Sequence, residues 1–277
     1  MARSKKTVRK IVSAGRGRVI QSPGIRDAII SLSGKRNPHV VYLGTASYEK
    51  QTGYDLQAAG FADVGCTVEH LKVTAIKNSP QNRSMIATAL NKADIIAASG
   101  GNTLYAMKQW KKLGIDKLLR RANDRGAVLC GGSAGAICWF DAGHSDSRDP
   151  TTLLHVNPNL SEEEKKSWNY ICVKGLGLIP GVCCPHHDST QSNGLPRSDD
   201  FDGMLRRRMR KSKSVPNIGV CIDDQAALLV DGDSFRVLST DGKSGVCRKD
   251  VQDDGSIEKT VFSPSEEFKS LDHLIGN

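Results

Sequence analysis

The stretch that decides the fold reads Ala127-Val128-Leu129-Cys130-Gly131-Gly132-Ser133-Ala134-Gly135-Ala136. An apolar run of strand length leads into the pattern Gly-x-Ser-x-Gly, and a helix-forming segment follows. Gly131 and Gly135 flank Ser133 where a sharp strand-to-helix turn leaves no room for a Cβ atom. The pattern predicts a nucleophile elbow that exposes the Ser133 hydroxyl and directs the first free amides of the next helix at any oxyanion beside it. On spacing alone, a glycine-serine turn that merely caps a helix explains the pattern equally well.

A second glycine-rich turn follows another apolar run. The chain passes from Asp94-Ile95-Ile96-Ala97-Ala98-Ser99 into Gly100-Gly101-Asn102-Thr103 and then into a helical pattern. Two strand-glycine-helix units in succession place two amide-rich loops at the same edge of a parallel sheet. One loop can hold the nucleophile and the other can supply the remaining oxyanion donor, which favours a catalytic interpretation of the elbow.

Strands alternate with helices along the first half of the chain. This alternation predicts an α/β fold with a doubly wound, mostly parallel sheet and helices on both faces, in which ligands bind at the carboxyl ends of the strands. The polar stretch 143–150 is predicted to be a mobile loop, and residues 226–230 and 235–238 a closing hairpin. The other expected strands span residues 10–14, 40–43, 68–73, 94–99, 127–130, 182–184 and 218–222, and the expected helices 25–32, 54–61, 80–90, 104–113 and 115–123.

Two basic runs account for the formal net charge of +9. Residues 1–10 and 205–213 together carry eleven lysines and arginines and no acid, so the rest of the chain is near neutral. Nucleic-acid binding favours basic residues interleaved with aromatics, whereas aromatics are 5% of the chain and neither run contains one. We interpret the runs as a disordered tail and a solvated helix end, and nucleic-acid binding through residues 206–213 is the minor alternative. No linker or repeat divides residues 11–277, which predicts a single domain.

The eight cysteines lie mostly in or beside apolar runs of strand length. This placement is typical of free thiols in a reducing compartment, and no Cys-x-x-Cys pair offers metal-ligand spacing. We therefore expect neither a metal nor a cofactor. No stretch approaches the roughly 18 apolar residues of a membrane-spanning helix, and no secretory signal pattern is present. The sequence predicts a cytoplasmic protein that does not enter a membrane.

A serine nucleophile needs a base, and the base needs an acid to fix its tautomer. His186 and His187 follow the apolar run Val182-Cys183-Cys184, so they are expected at a strand end near the elbow, whereas His144 is a weaker candidate because of its polar loop. Asp223 and Asp224 follow another strand. Asp146 and Asp188 are further candidates for the acid, and an aspartate pair after a strand is also typical of an ordinary turn.

The whole set of motifs resembles the peptidase E family of serine peptidases, which includes alpha-aspartyl dipeptidases and cyanophycinase. The motifs run in order over residues 11–238 and comprise Gly100-Gly101-Asn102-Thr103, Gly132-Ser133-Ala134-Gly135-Ala136, Gly175-Leu176-Gly177, Pro185-His186 and Ile222-Asp223-Asp224. The resemblance implies a fold similar to class I glutamine amidotransferases and a protein that is a monomer or a homodimer.

The resemblance also implies roles for individual residues. Ser133 would be the nucleophile, His186 the base, and the backbone amides of Gly101 and Ala134 the oxyanion donors. Asp224 matches the family's late acid and Asp146 its loop aspartate, so either completes the triad. Two more residues, Asn102 and Arg197, would bind substrate. Arg197 is the candidate for binding the side chain of an N-terminal aspartate.

These observations predict a serine exopeptidase that hydrolyses dipeptides or short peptides, with N-terminal aspartate as one candidate specificity. Glutamine amidotransfer on the similar fold needs cysteine at the elbow, where this chain has Ser133, and Cys130 lies three residues too early. A non-catalytic protein that binds a small molecule at the elbow, and a hydrolase of another amide, are the alternatives.

Overall fold

The computed structural model describes residues 9–211 and 218–276, and the side chains of residues 209–211 are not described. Most of the expected basic tail and the end of the second basic run lie outside these residues. The strands are β1 (Lys10–Ala14), β2 (His39–Leu43), β3 (Thr67–His70), β4 (Ile95–Ala98), β5 (Val128–Gly132), β6 (Phe140–Ser145), β7 (Ile171–Lys174), β8 (Ile179–Pro185), β9 (Ile218–Ile222), β10 (Ala226–Asp231), β11 (Ser234–Ser239), β12 (Val246–Val251), β13 (Ile257–Phe262) and β14 (Lys269–Ser270). The helices are α1 (Pro23–Ser33), α2 (Gln51–Gln57), α3 (Pro80–Lys92), α4 (Thr103–Leu113), α5 (Ile115–Asp124), α6 (Ala134–Ile137), α7 (Glu162–Lys166), α8 (Arg197–Lys211) and α9 (Asp272–Ile275).

Eight strands form the larger sheet in the order β14-β11-β10-β1-β5-β4-β2-β3. Neighbouring strands are parallel in the segment β1-β5-β4-β2-β3 of this order. On the other side of β1, strands β10, β11 and β14 are added by antiparallel pairing. The predicted α/β class is confirmed. The predicted hairpin is also confirmed, because β10 and β11 pair from Ala226↔Ser239 to Asp231↔Ser234.

A second sheet contains the remaining strands in the order β13-β12-β9-β8-β6-β7. Its centre is parallel, with β8 between β6 and β9, and its edges are antiparallel. The short helix α6 contacts strands of both sheets, and all four of its residues are buried. Alternation of strands and helices does not indicate this division, because the assignment of a strand to one sheet or the other depends on long-range pairing.

The expectation of a mobile loop over residues 143–150 is wrong at its beginning. Gly143, His144 and Ser145 belong to β6, which pairs with β7 and β8, and His144 is fully buried. The polar residues of this segment made the strand look like a loop. Their side chains form hydrogen bonds with polar partners inside the protein instead of with water. Among the described residues, no helix has the length and apolar character needed to cross a bilayer.

Capping residues mark the ends of two helices. The Ser79 hydroxyl accepts a hydrogen bond from the Asn82 amide at 3.2 Å at the start of α3, and Gly34 ends α1 in the left-handed conformation. The largest apolar cluster of the core includes residues from both sheets and from α3 to α6, and a second cluster packs α1 against residues of β1, β2, β4 and β5. This packing holds the carboxyl ends of β4, β5, β8 and β9 in place, and the candidate site lies there.

Candidate active site

The elbow has the strained backbone that the sequence predicts. Ser133 has φ 56° and ψ −119°, a region that residues with a side chain rarely adopt. A Cβ atom on Gly131 would lie 2.7 Å from the Ala98 carbonyl oxygen, and one on Gly135 would overlap the same oxygen. The Ser133 amide donates to the Ala14 carbonyl oxygen at 3.0 Å. Close packing of β1, β4 and β5 against α6 therefore forces the turn, and glycine is required on both sides of the serine.

His186 lies directly after β8 and faces the serine. Its Nε2 atom is 2.9 Å from Ser133 Oγ, across 53 positions of the sequence. His186 also has a positive φ, 51°, so the chain turns sharply where the strand ends. Because an imidazole nitrogen at this distance can accept the hydroxyl proton, the geometry is that of a nucleophile paired with a general base.

Asp224 is the carboxylate that contacts His186. Its Oδ1 atom contacts His186 Nδ1, and its Oδ2 atom pairs with Arg16 Nη2 at 2.6 Å. The Asp224 backbone amide donates to Asp188 Oδ1 at 2.7 Å, which holds the start of this turn. Burial raises the pKa of Asp224, but the hydrogen bond to His186 and the charges of His186 and Arg16 outweigh it, so the pKa lies below its usual value. The carboxylate is therefore ionised at neutral pH and can stabilise an imidazolium.

Two backbone amides near the serine are free to bind an anion. Gly101 has φ 124°, and a Cβ atom there would overlap the Ala46 carbonyl oxygen. Ala134 begins α6 directly after the serine. In residues 9–211 and 218–276, neither the Gly101 nor the Ala134 amide donates to a backbone carbonyl. The two glycine loops lie against each other, since a Cβ atom on Gly100 would lie 3.3 Å from Ser133 Cβ. The role of the two amides as oxyanion donors stays a prediction.

Asn102 has a structural task in this loop. Its Oδ1 atom caps α4 by accepting from the Tyr105 amide at 2.9 Å, and its Nδ2 atom donates to the Ser147 carbonyl oxygen at 3.1 Å. The side chain is buried. These contacts fix the backbone that follows Gly101, so the structure places Asn102 beside the site with its side-chain groups already engaged.

The structure does not bring Asp146 and Arg197 to the serine-histidine pair. Arg197 is 1% exposed, and its Nη1 atom lies 3.4 Å from Asp146 Oδ2. Its Nη2 atom donates to the His144 carbonyl oxygen at 2.7 Å, and the guanidinium lies over the Tyr170 ring at 5.0 Å. Arg197, expected to bind substrate, and Asp146, a candidate acid for the histidine, therefore form an ion pair with each other.

His144 is packed in the same buried group. Its Nε2 atom is 2.8 Å from Asp200 Oδ1, and its ring stacks on Tyr170 at 4.1 Å. Burial lowers the pKa of His144 to about 4, although the hydrogen bond to Asp200 acts in the opposite direction. The imidazole is therefore neutral at pH 7, and its Nε2–H group donates a hydrogen bond to the Asp200 carboxylate.

His187 and Asp223, the other members of the two predicted pairs, contact each other. The His187 amide donates to the Ile222 carbonyl oxygen at 3.2 Å, and its Nδ1 atom lies 3.5 Å from Asp223 Oδ1. His187 lies close to Cys221 and Cys247, and these three side chains are the described group that could hold a metal ion.

Two further residues support the site and were not anticipated from the sequence. Arg16 binds the free oxygen of Asp224, and Gln57 Oε1 accepts from the Gly100 amide at 2.6 Å. Arg16 lies in a glycine-rich loop at the carboxyl end of β1, and that position was a usable signal. Gln57 lies at the end of α2, and no local pattern identifies it.

Comparisons with known proteins identify the family. The model of peptidase family S51 matches residues 11–238. Uncharacterized peptidase YgaJ of Bacillus subtilis (strain 168) is 27% identical over 237 residues, which cover 84% of this chain and 88% of that protein. A Trypanosoma brucei brucei protein named G2/mitotic-specific cyclin-1 is 28% identical over 227 residues, which cover 75% of this chain and 65% of that protein.

A solved structure of a peptidase from an acI-B1 Actinobacterium has the same fold. Its TM-score is 0.58 at 16% sequence identity, and the match covers 96% of this chain and 98% of that chain. The family model spans the elbow, the histidine after β8 and the aspartates after β9. The chain therefore belongs to peptidase family S51 and is a peptidase of the serine type.

Proposed function

We propose that the protein is an exopeptidase that hydrolyses dipeptides or short peptides through Ser133, His186 and Asp224. The observation that carries the proposal is the continuous set of contacts from Ser133 Oγ to His186 Nε2, at 2.9 Å, and from His186 Nδ1 to Asp224 Oδ1. Asp146, the other candidate acid, is engaged by Arg197. This leaves Asp224 as the acid of the proposed triad.

In the proposed reaction, Ser133 Oγ attacks the carbonyl carbon of the scissile amide while His186 Nε2 takes the hydroxyl proton. The oxyanion accepts hydrogen bonds from the Gly101 and Ala134 amides. His186 then gives the proton to the leaving amine, and the carbon–nitrogen bond breaks to leave an acyl-enzyme. Water, deprotonated by His186, attacks the ester and releases the acid and the free serine.

A cavity beside Asn102 is our proposed binding place for part of the substrate. Its volume is about 400 Å³, and its lining combines apolar and aromatic side chains with polar ones and one lysine. The lining residues are Tyr48, Asn102, Leu104, Tyr105, Lys108, Ser147, Leu153, Leu154 and His155. Asn102 directly follows the proposed oxyanion donor, so a peptide bound at the serine can place a side chain here. Lys108, in contrast to the buried Arg197, is exposed and can pair with an acidic side chain of the substrate.

The test of the activity compares the wild type with Ser133→Ala on a panel of Asp-X, Glu-X, Ala-X and Arg-X dipeptides. We expect cleavage by the wild type and a loss of at least about 10⁴-fold in kcat in the variant. Ser31→Ala, at an exposed position of α1, is the matched control and should keep wild-type turnover and wild-type labelling by an active-site serine probe. Retained turnover in Ser133→Ala would refute the mechanism.

The same panel tests substrate preference. If the protein prefers Asp-X dipeptides because the aspartate side chain binds in this cavity, Lys108→Gln raises KM for Asp-X and leaves KM for Ala-X unchanged. The substitution removes only the ion pair with the acidic side chain. Lys111→Gln is the control on the same helix, since Lys111 does not line this cavity. An unchanged KM for Asp-X in Lys108→Gln would exclude this origin of acidic specificity. A protein that labels with the probe but cleaves no peptide would point to another acyl substrate.

A further inference from the structure

Three potential metal ligands from distant parts of the chain meet beside the proposed triad. Cys221 in β9 and Cys247 in β12 are directly paired across the two antiparallel strands, and His187 continues β8 alongside β9. One ring nitrogen of His187 and the two Sγ atoms all lie within 4.8 Å of one another. The residues are 7%, 0% and 5% exposed for His187, Cys221 and Cys247, respectively.

The two ring nitrogens of His187 differ in their contacts. Its Nδ1 atom faces Asp223 Oδ1 at 3.5 Å, and Asp223 Oδ2 accepts from the Gly245 amide at 2.9 Å, so the carboxylate is itself held in place. The Nε2 atom of His187 is buried and has no hydrogen-bond partner among the described residues. A buried polar atom without a partner is costly, and a histidine whose second nitrogen is bound by a carboxylate is the usual arrangement around zinc.

Positively charged side chains lie beside the two thiols. Lys249 is a charged neighbour of both Cys221 and Cys247, and Lys259 is a charged neighbour of Cys247. Lys249 is itself almost fully buried, at 5% exposed. In the proposed complex these lysines stabilise the negative charge of the thiolates.

We propose that His187, Cys221 and Cys247 form a zinc-binding site. Two thiolates and one imidazole suit Zn²⁺, whereas Ca²⁺ and Mg²⁺ require oxygen ligands. Two thiolate charges also balance a divalent ion, which leaves the buried complex neutral, while Cu⁺ would leave one negative charge in the same surroundings. Binding replaces two S–H bonds by two S–Zn bonds and releases two protons to water.

A cavity of about 340 Å³ adjoins the site at His187, and its lining also includes Asp223 and Lys259 but neither cysteine. The ion can enter from this side, and a water molecule from the cavity supplies the fourth ligand of a tetrahedral site.

The site would act as a positioning element for the triad. His187 is the neighbour of His186, and Asp223, which holds the His187 ring, is the neighbour of Asp224. A bound ion would tie the end of β8 to β9 and β12, and so fix the two turns that carry the proposed base and acid. The site is independent of the peptide substrate, so it can be tested without an activity assay.

The test uses Co²⁺ added to the reduced full-length protein, because cobalt bound by thiolate shows a near-ultraviolet charge-transfer absorption. We expect this absorption to saturate at one ion per chain and to disappear when one equivalent of Zn²⁺ is added. In Cys247→Ala the absorption should be lost, and in Cys172→Ala, which removes an exposed cysteine elsewhere, it should be unchanged. Asp223→Asn should weaken the affinity about 10–100-fold, as expected for removal of the carboxylate behind a ligating histidine.

Circular dichroism of each variant shows whether a lost absorption reflects a missing metal-ligating side chain or an unfolded protein. The wild type alone also tests whether the zinc site exists. Absence of thiolate–cobalt absorption in the folded, reduced wild type would overturn the proposal. Isolation of the native protein with a Cys221–Cys247 disulfide that persists under cytosolic reducing conditions would overturn it too. Metal analysis of the purified wild type should give about one zinc per chain, and full metal content in Cys247→Ala would assign the ion to another place.

Discussion

Replacement of Asp224 by asparagine tests the proposed triad through the tautomer of His186. The two oxygens of Asp224 have different partners, since Oδ1 faces His186 Nδ1 and Oδ2 faces Arg16 Nη2 at 2.6 Å. Arginine can only donate, so in Asp224→Asn the amide oxygen of the new side chain must face Arg16 and its NH₂ group must face Nδ1. The proton of His186 then moves to Nε2, which can no longer accept the proton of Ser133 Oγ.

We expect Asp224→Asn to lower kcat about 10³–10⁴-fold, because a wrong histidine tautomer removes the general base while the oxyanion donors remain. At 1.36 kcal/mol per factor of ten, this is about 4–5 kcal/mol of transition-state stabilisation. Arg16→Ala alone should cost no more than about tenfold, since the Arg16 side chain is 39% exposed and its ion pair is weakened by solvent.

The double variant Arg16→Ala with Asp224→Asn gives the sharper result. Without Arg16, the amide can rotate and present its oxygen to His186 Nδ1, which restores the productive tautomer. We therefore expect kcat at least about tenfold above that of Asp224→Asn alone, whereas independent effects would make the double variant the slowest of the three. Steady-state kinetics on the best dipeptide measures all three.

A double variant that is slower than Asp224→Asn would refute this account of the hydrogen-bond network. Asp146→Asn is the control for the other candidate acid, since Asp146 contacts Arg197. We expect this variant to lose stability and to keep kcat within a few-fold of the wild type once the folded fraction is matched by circular dichroism. A loss of about 10³-fold in the folded Asp146→Asn protein would transfer the role of the acid to Asp146.

Two further predictions concern the oxyanion loop and acid stability. Gly101→Ala places a Cβ against the Ala46 carbonyl at φ 124° and displaces a proposed oxyanion donor, so we expect kcat to fall about 10²–10³-fold, measured on protein whose fold is checked by circular dichroism. The pKa of His144 is about 4 in the folded state against 6.5 in the unfolded chain, so the unfolded state takes up the proton first and stability is lost as pH falls from 6.5 to 4. The loss should approach about 3 kcal/mol, and urea unfolding of His144→Gln should show a smaller pH slope over that window; equal slopes would contradict the assignment.

The local part of the site could be predicted because it depends on neighbouring residues. The Gly131 and Gly135 positions follow from the space that a turn leaves for Cβ atoms, and the structure shows both positions closed by the Ala98 carbonyl. The family resemblance adds His186, since its proline-histidine pair at a strand end is a short motif. These predictions required no knowledge of how the strands are paired.

The clearest error arose where polar side chains are satisfied inside the protein. His144 looked like part of a mobile loop because its neighbours in sequence are polar, but β7 and β8 pair with its strand and Asp200 binds its ring. Arg197, which was expected to bind substrate, is likewise buried against Asp146, and its action on a substrate stays a prediction. A sequence shows that such residues are charged or polar, but it does not show which partner will neutralise them.

The sequence by itself determined the elements that are fixed over a few residues: the strand-turn-helix units, the closing hairpin and the serine between two glycines. Only the tertiary structure decided which acid faces His186, because Asp224 and His186 are 38 positions apart and meet only after β8 pairs with β9. The cluster of His187, Cys221 and Cys247 arose in the same way, from the pairing of β9 with β12. Pairing between distant strands is set by the packing of the whole core, and that packing is not encoded in any single stretch of the chain.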